Sequence, residues 1–289
     1  MSSENTREFT IEVPAKWVFS GEHSVLRGGS AIAFPLTKFS LKLNYRENQN
    51  LTVTANEPKS QMNLLLARAS EFLGKDVSLF SKGEIEIQSS IPIGAGLGSS
   101  AALSVAVARL AIWKTGANSD QCIPLATHLE DVFHGKSSGM DVSVIAQAKP
   151  ILFSMKNGAE VLTDFKRHPH FEFYDSGKRG QTKLCIDLVT TWRSGSLGLA
   201  KKFDDQMNLA TDEALGALHR FEALPSDAEL VLARAMTRAQ VCFEAWGLVP
   251  DELLKQKNDL LKQGALAVKL TGAGLGGFWV ALWPDRRPP

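Results

Sequence analysis

The chain has 289 residues, about twice the ~150-residue domain norm, so two compact domains are expected. Hydrophobic residues at 44% and charged residues at 22% are ordinary for a globular protein, and they exclude a mostly disordered chain, a collagen-like fibre and a small disulfide scaffold. Lys and Arg number 32 against 31 Asp and Glu; a net charge of +1 gives no bulk electrostatic reason to expect nucleic acid or a membrane surface as partner.

The opening MSSENTREFT has no basic segment followed by an apolar core, so no signal peptide is expected. Phe9, Ile11 and Val13 alternate with Thr10 and Glu12, which predicts a half-buried strand ended by Pro14. Residues 51–54 read as a second strand, 61–73 as a helix stopped by Gly74, and Ile85 and Ile87 between glutamates as a further strand. Residues 101–114 are apolar nearly all round, which predicts a buried helix; Arg109 interrupts the stretch, and it is too short to span a bilayer. Another helix is expected over 122–133.

After Lys149 the texture changes. Residues 151–153 and 183–188 read as strands, and a boundary near residue 180 divides the chain into domains 1–180 and 181–289. Three helices follow. The second opens at Pro225 with capping-box spacing between Ser226 and Glu229 and ends near Gly247; the third ends at Gly264. Residues 265–271 and 278–283 then read as two strands joined by a glycine-rich turn, so both halves read as α+β rather than regular βαβ. Cys122, Cys185 and Cys242 are odd in number, lie far apart and form no CxxC pair; they are expected to be reduced thiols of a cytoplasmic protein.

The most informative segment is Pro92-Ile-Gly-Ala-Gly-Leu-Gly-Ser-Ser-Ala101, which runs straight into the apolar helix. A glycine-rich loop at a helix N-terminus offers unpaired N–H groups and the positive end of the helix dipole, so it is a ready site for phosphate. Ser99 and Ser100 can cap the helix, touch phosphate or ligate Mg²⁺. A Walker A loop is excluded, because Glu130 stands where the first glycine before Gly135-Lys136-Ser137 would be. Gly272, Gly274 and Gly277 spell G-x-G-x-x-G, but a strand follows where a dinucleotide fold needs a helix.

Three segments, in order, resemble the signature motifs of the GHMP kinases, the small-molecule kinases named after galactokinase and the homoserine, mevalonate and phosphomevalonate kinases. They are Pro14-Ala-Lys-Trp-Val-Phe-Ser-Gly-Glu-His-Ser-Val-Leu26, the Pro92–Ala101 segment, which fits P-x-x-x-G-L-G-S-S-A, and Lys269-Leu-Thr-Gly-Ala-Gly-Leu-Gly-Gly277. Within the family, Gly21-Glu-His-Ser-Val-Leu26 and His134-Gly-Lys-Ser-Ser-Gly-Met-Asp141 resemble the mevalonate kinase branch, with its G-E-H-[AS]-V-[VL] and H-G-x-P-S-G-x-D. The resemblance implies a two-domain α+β fold, a ribosomal-protein-S5-like N-terminal domain and a ferredoxin-like C-terminal one, with the active site in the cleft between them. It implies transfer of phosphate from ATP, with Mg²⁺, to a small-molecule alcohol, with mevalonate in isoprenoid biosynthesis as the leading acceptor. Other GHMP kinases acting on phosphomevalonate or a sugar, diphosphomevalonate decarboxylase, and a non-catalytic nucleotide-binding relative are the alternatives. The resemblance also allows a homodimer.

Residue by residue, the resemblance makes Asp141 the base for the hydroxyl proton and puts Lys16 beside it to assist. Pro92, Gly94, Ala95, Gly96, Leu97, Gly98, Ser99, Ser100 and Ala101 would hold the nucleotide phosphates. Glu130, eleven residues before Asp141, would hold Mg²⁺ together with Ser100. Glu22, His23, Gly272 and Ala273 would contact the acceptor. Thr191, Arg193, Ser194 and Ser196 fall where related kinases bring polar groups toward substrate, and Arg193 could clasp a carboxylate. Three departures stand out: Ala15 replaces a usual Gly, Lys136-Ser137 replaces a pair ending in Pro, and Leu275 replaces a Gly.

Overall fold

A computed structural model describes residues 7–55, 59–162 and 169–284 of the chain. Two packing units emerge, and neither is one run of sequence. The first gathers residues 7–16, Pro35–Pro92 and Gly98–Ala148; the second gathers Trp17–Phe34, Ile93–Leu97 and the chain from Lys149 onward. These units cut across the expected division into 1–180 and 181–289, because long-range strand pairing, not chain order, assigns residues to a core.

Two long strands, β1 (Glu8–Ser20) and β2 (Ser30–Arg46), contribute to both units. Pro14 does not end β1, which continues through it to Ser20. Among the described residues β1 pairs with β2 alone, and on a strand with a free edge the missing N–H of a proline is tolerated.

In the first unit, β4 (Gly83–Ser89) lies between β3 (Leu51–Thr54), to which it is parallel, and residues 41–46 of β2, to which it is antiparallel with Leu41 opposite Ser89. Alternate residues Leu41, Leu43 and Tyr45 are buried together with Val53, Ile85 and Ile87, as the two-residue period of a half-covered sheet requires. Four helices complete the unit: α1 (Lys59–Phe72), α2 (Ser99–Thr115), α3 (Cys122–His134) and α4 (Met140–Gln147). α2 packs against each of the other three, which is why it is apolar on every side; Gly116 in the left-handed conformation ends it.

In the second unit, residues 30–33 of β2 pair with β5 (Ile151–Ser154), which forms a hairpin with β6 (Gly158–Val161). A separate antiparallel sheet has the order β7-β9-β8, from β7 (His170–Asp175), β8 (Ala267–Thr271) and β9 (Phe278–Trp283). The helices α5 (Thr182–Gly195), α6 (Leu197–Arg220), α7 (Pro225–Ala245) and α8 (Asp251–Lys262) pack with it. Every residue of β8 and β9 is buried, and Val189, Met207, Phe243, Trp246, Leu270 and Trp279 belong to the core around them.

Two expectations fail here. Residues 183–188 are helical, part of α5: Cys185 and Val189, four apart, are buried, whereas the alternating Leu184, Ile186 and Leu188 face outward. A short polar–apolar alternation imitated a strand, and the helical stripe of the longer segment prevailed. Ser226 is not the N-cap that the capping-box spacing predicts; Leu224 precedes the helix and Pro225 occupies its first position, where a missing N–H costs nothing. All three cysteines are free thiols, and no helix among the described residues is long and apolar enough to cross a membrane.

Candidate active site

In the first unit, the ends of three helices converge on β1. Gly98 precedes α2 in a left-handed conformation (φ 78°), with Ser99 and Ser100 as the first helical residues and no side chain capping the end. A Cβ on Gly98 would lie 2.8 Å from Cγ of Lys16, so glycine is what lets Lys16 run beneath this helix N-terminus. Lys16 is buried, and its Nζ lies 2.8 Å from Oδ2 of Asp141. Asp141 sits in the first turn of α4, with about a quarter of its side chain (27%) accessible.

Glu130, near the end of α3, completes the cluster and is 3% exposed. Burial, then the negative charge of Asp141, push its carboxyl up to about 7; the hydroxyl of Ser137 and the charge of Lys16 act in the opposite sense. One cation thus serves two carboxylates, and Glu130 is the one left burdened. A hard divalent cation supplied with other oxygen ligands would relieve that burden, and the carboxylate of Glu130 and the hydroxyl of Ser100 are suitable donors. No group of three or more His, Cys, Asp or Glu able to hold a metal exists among the described residues.

The second unit organises the remaining predicted residues. Residues 93–97 of the glycine-rich loop press onto the turn between β8 and β9. A Cβ on Gly96 would lie 2.7 Å from the carbonyl oxygen of Thr271, and one on Gly277 2.5 Å from that of Ala95. Ala95 and Leu97 are buried and anchor the loop, while Ile93 is 63% exposed. Gly96→Ala is therefore expected to destabilise the protein by about 2–3 kcal/mol in urea denaturation, combining a positive φ with a clash against backbone. Gly94→Ala, also at positive φ but with its nearest neighbour atom at 3.6 Å, is expected to cost about 1 kcal/mol and isolates the backbone contribution.

Gly21 turns the chain after β1 with φ 96°, and a Cβ there would meet the carbonyl oxygen of Ser30 at 2.3 Å. Glu22 and His23 follow, both buried. Glu22 is ion-paired with the fully buried Lys269 of β8, whose ammonium also donates to the carbonyl of Leu270 (2.6 Å) and lies 4.4 Å from the centre of the Phe243 ring. The Nε2–H of His23 donates to the carbonyl of Ala273 (2.8 Å), and its ring packs edge-on against Phe243 and Trp246. Burial lowers the pKa of His23 to about 4, so the ring is neutral at pH 7. The Glu22–His23 and Gly272–Ala273 segments are thus brought together. Leu275 adopts a left-handed conformation (φ 60°) where the resembled motif has Gly, held by an N–H bond to the carbonyl of Leu248 (2.8 Å).

Of the polar residues expected near substrate, Arg193 pairs with Asp204, which also takes Arg27, and Ser196 caps α6 at the N–H of Leu199. Sequence reasoning missed Lys269 and Ser137 as partners of Glu22 and Glu130. For Lys269 a signal existed: a lone lysine in an otherwise apolar strand calls for a buried carboxylate.

A family model described as the GHMP kinases N terminal domain matches residues 63–149. The mevalonate kinase of Pyrococcus horikoshii is 27% identical over 95% of this chain and 88% of its own length; that of Thermococcus sibiricus is 29% identical over 95% and 89%. Among solved structures, the L. major mevalonate kinase in complex with R-mevalonate superposes with a TM-score of 0.79 at 20% identity, covering 99% of this chain and 90% of that one. The ordered motifs, the matched segment and the shared fold agree: over nearly its whole length the chain is similar to the GHMP kinases.

Proposed function

We propose that the protein transfers the γ-phosphoryl group of ATP to the primary alcohol of mevalonate, giving 5-phosphomevalonate. The observation that carries this reading is the Lys16–Asp141 ion pair beside Glu130, at the N-terminus of α2. Phosphoryl transfer to an alcohol asks a protein for little covalent chemistry; positioning and charge stabilisation dominate. In this reading the amides of 94–98 and the first turn of α2 hold phosphate oxygens, as a helix N-terminus does for anions. Asp141 accepts the hydroxyl proton at its carboxylate, and Lys16 offsets charge that develops on the attacking oxygen. Glu130 and Ser100 are the donors we assign to Mg²⁺, which when bound supplies charge neutralisation across the β- and γ-phosphates. The segment around Glu22, His23, Gly272 and Ala273 is assigned to the acceptor; its internal bonds fix a rigid wall instead of leaving loose side chains.

The choice of acceptor draws on the curated relatives, which are named mevalonate kinases. Incubating the protein with Mg-ATP and, separately, mevalonate, phosphomevalonate, galactose and homoserine tests it directly. Formation of ADP and phosphorylated mevalonate in equal amounts is the expected result. Turnover confined to another alcohol overturns the substrate assignment, and ADP release no greater than the acceptor-free background with all four overturns the kinase assignment.

A further inference from the structure

We propose that Ser137 is a positioning residue that orients the Glu130 carboxylate and ties it to the start of α4, where Asp141 stands. The inference rests on the assignment of Glu130 to the metal, made above. Its warrant is a chain of directional hydrogen bonds. The N–H of Gly139 donates to Oγ of Ser137 (3.1 Å), and Oγ–H of Ser137 donates to Oε2 of Glu130. A hydroxyl has one proton, so an oxygen that accepts from Gly139 is free to point its proton at the carboxylate. The backbone N–H of Ser137 donates to Oδ1 of Asp131 at 2.6 Å, which fixes the serine itself against the end of α3.

Both ends of this chain are anchored. Gly139 precedes α4 with φ 81°, and its carbonyl accepts the N–H of Ser143 (2.9 Å), so it belongs to the same rigid turn as Asp141. A Cβ on Gly139 would lie 3.2 Å from Oγ1 of Thr127, so this turn also packs closely on α3. At the other end, Glu130 is buried beside a second carboxylate, where an unanchored side chain is driven away from Asp141. The serine hydroxyl counters that repulsion and occupies Oε2; Oε1 carries no hydrogen bond among the described residues. One carboxylate oxygen is thereby held by the protein and the other presented to a cation, the arrangement by which outer partners orient metal-holding carboxylates. The motif this segment resembles has proline at position 137, which supplies neither the O–H nor the N–H used here. In this chain the loop is therefore braced by hydrogen bonds.

The test uses the full chain, with Mn²⁺ and ADP as probes and Mn²⁺ affinity of the protein–ADP complex read by electron paramagnetic resonance, so no turnover is required. Ser137→Ala is expected to weaken Mn²⁺ binding about tenfold and to raise the Mg²⁺ concentration needed for half-maximal rate in parallel. Ser137→Thr, which keeps the hydroxyl, is expected to restore both to within about twofold. Should the alanine variant fail to fold, Ser137→Cys, with a weaker donor of similar size, gives the same ordering with a smaller step. Unchanged Mn²⁺ affinity in a folded Ser137→Ala or Ser137→Cys protein, or a threonine variant as impaired as alanine, overturns the proposal. Glu130→Gln separates it from the reading beneath it. If that change leaves Mn²⁺ affinity intact, Glu130 is no metal donor and both fall; if it lowers affinity while Ser137→Ala does not, the role of Ser137 alone falls.

Discussion

Asp141→Asn is expected to lower kcat for phosphoryl transfer by about 10²–10⁴-fold, while ADP affinity stays within about twofold of the unaltered protein. The substitution keeps the shape of the side chain and removes its capacity to accept a proton. Asp141 stands on α4 and is ion-paired with Lys16, whereas the glycine-rich loop leads into α2. A second consequence follows from the charge balance. Burial and then the charge of Asp141 raise the pKa of Glu130, so neutralising Asp141 lowers it while the effect of burial remains. Lys16 then retains one carboxylate neighbour, and the variant is expected to remain folded, as thermal denaturation can verify. A variant that keeps more than about a tenth of the parent rate would mean that Asp141 is not the base.

The second large effect is structural. Lys269→Ala is expected to cost about 3–5 kcal/mol in urea denaturation, because it strands the carboxylate of Glu22 inside the second unit. Two magnitudes decide this. An exposed ion pair is worth about 0–1 kcal/mol, and its loss would pass unnoticed; removing one partner of a buried pair leaves an uncompensated charge. Lys269 is 1% exposed and Glu22 5%, which puts the pair in the second regime. The contact of the ammonium with the Phe243 ring adds about 1–2 kcal/mol that alanine also forfeits. The double change Lys269→Met with Glu22→Gln, which fills the same space without charge, is expected to recover at least half of the loss. No recovery in that double variant would show that packing of the lysine stem, and not the stranded carboxylate, sets the cost.

Much of this was legible in the sequence because the informative elements are extreme. α2 is apolar on all sides, β8 and β9 are continuous apolar runs, and the glycines of 94–98 and 272–277 stand where positive φ and close backbone contact are needed. The failures have physical causes. At Pro14 a breaker was tolerated by a strand paired on one side, and at 183–188 a six-residue alternation was too short to outweigh the helical stripe. β2, seventeen residues long, escaped notice because one part serves each unit and no single period runs through it. At the site the pairing of Lys16 with Asp141 was expected, whereas those of Ser137 and Lys269 were not. That Ser137 serves Glu130 depends on the turn at Gly135, and that Glu22 meets Lys269 depends on residues 247 positions apart.

The interleaving of the two units also governs the order in which the chain can fold. Every segment of the first unit lies before residue 149, so its contacts are available once the first half of the chain has been made. The second unit needs its earliest segment and its last strands at once: the N–H of Val18 is bonded to the hydroxyl of Thr271, 253 positions away. Residues 17–34 are synthesised early, and although β1 and β2 can pair with each other and then with β5, the contacts of Val18 with β8 wait for the end of the chain. Closing so long a loop costs entropy, a cost that grows only slowly with length, and it slows the search for contacts. Until Phe171 is made, the aromatic face of Trp17, Phe19 and Phe34 lacks its partner in the finished protein, and apolar surface left open in this way favours aggregation.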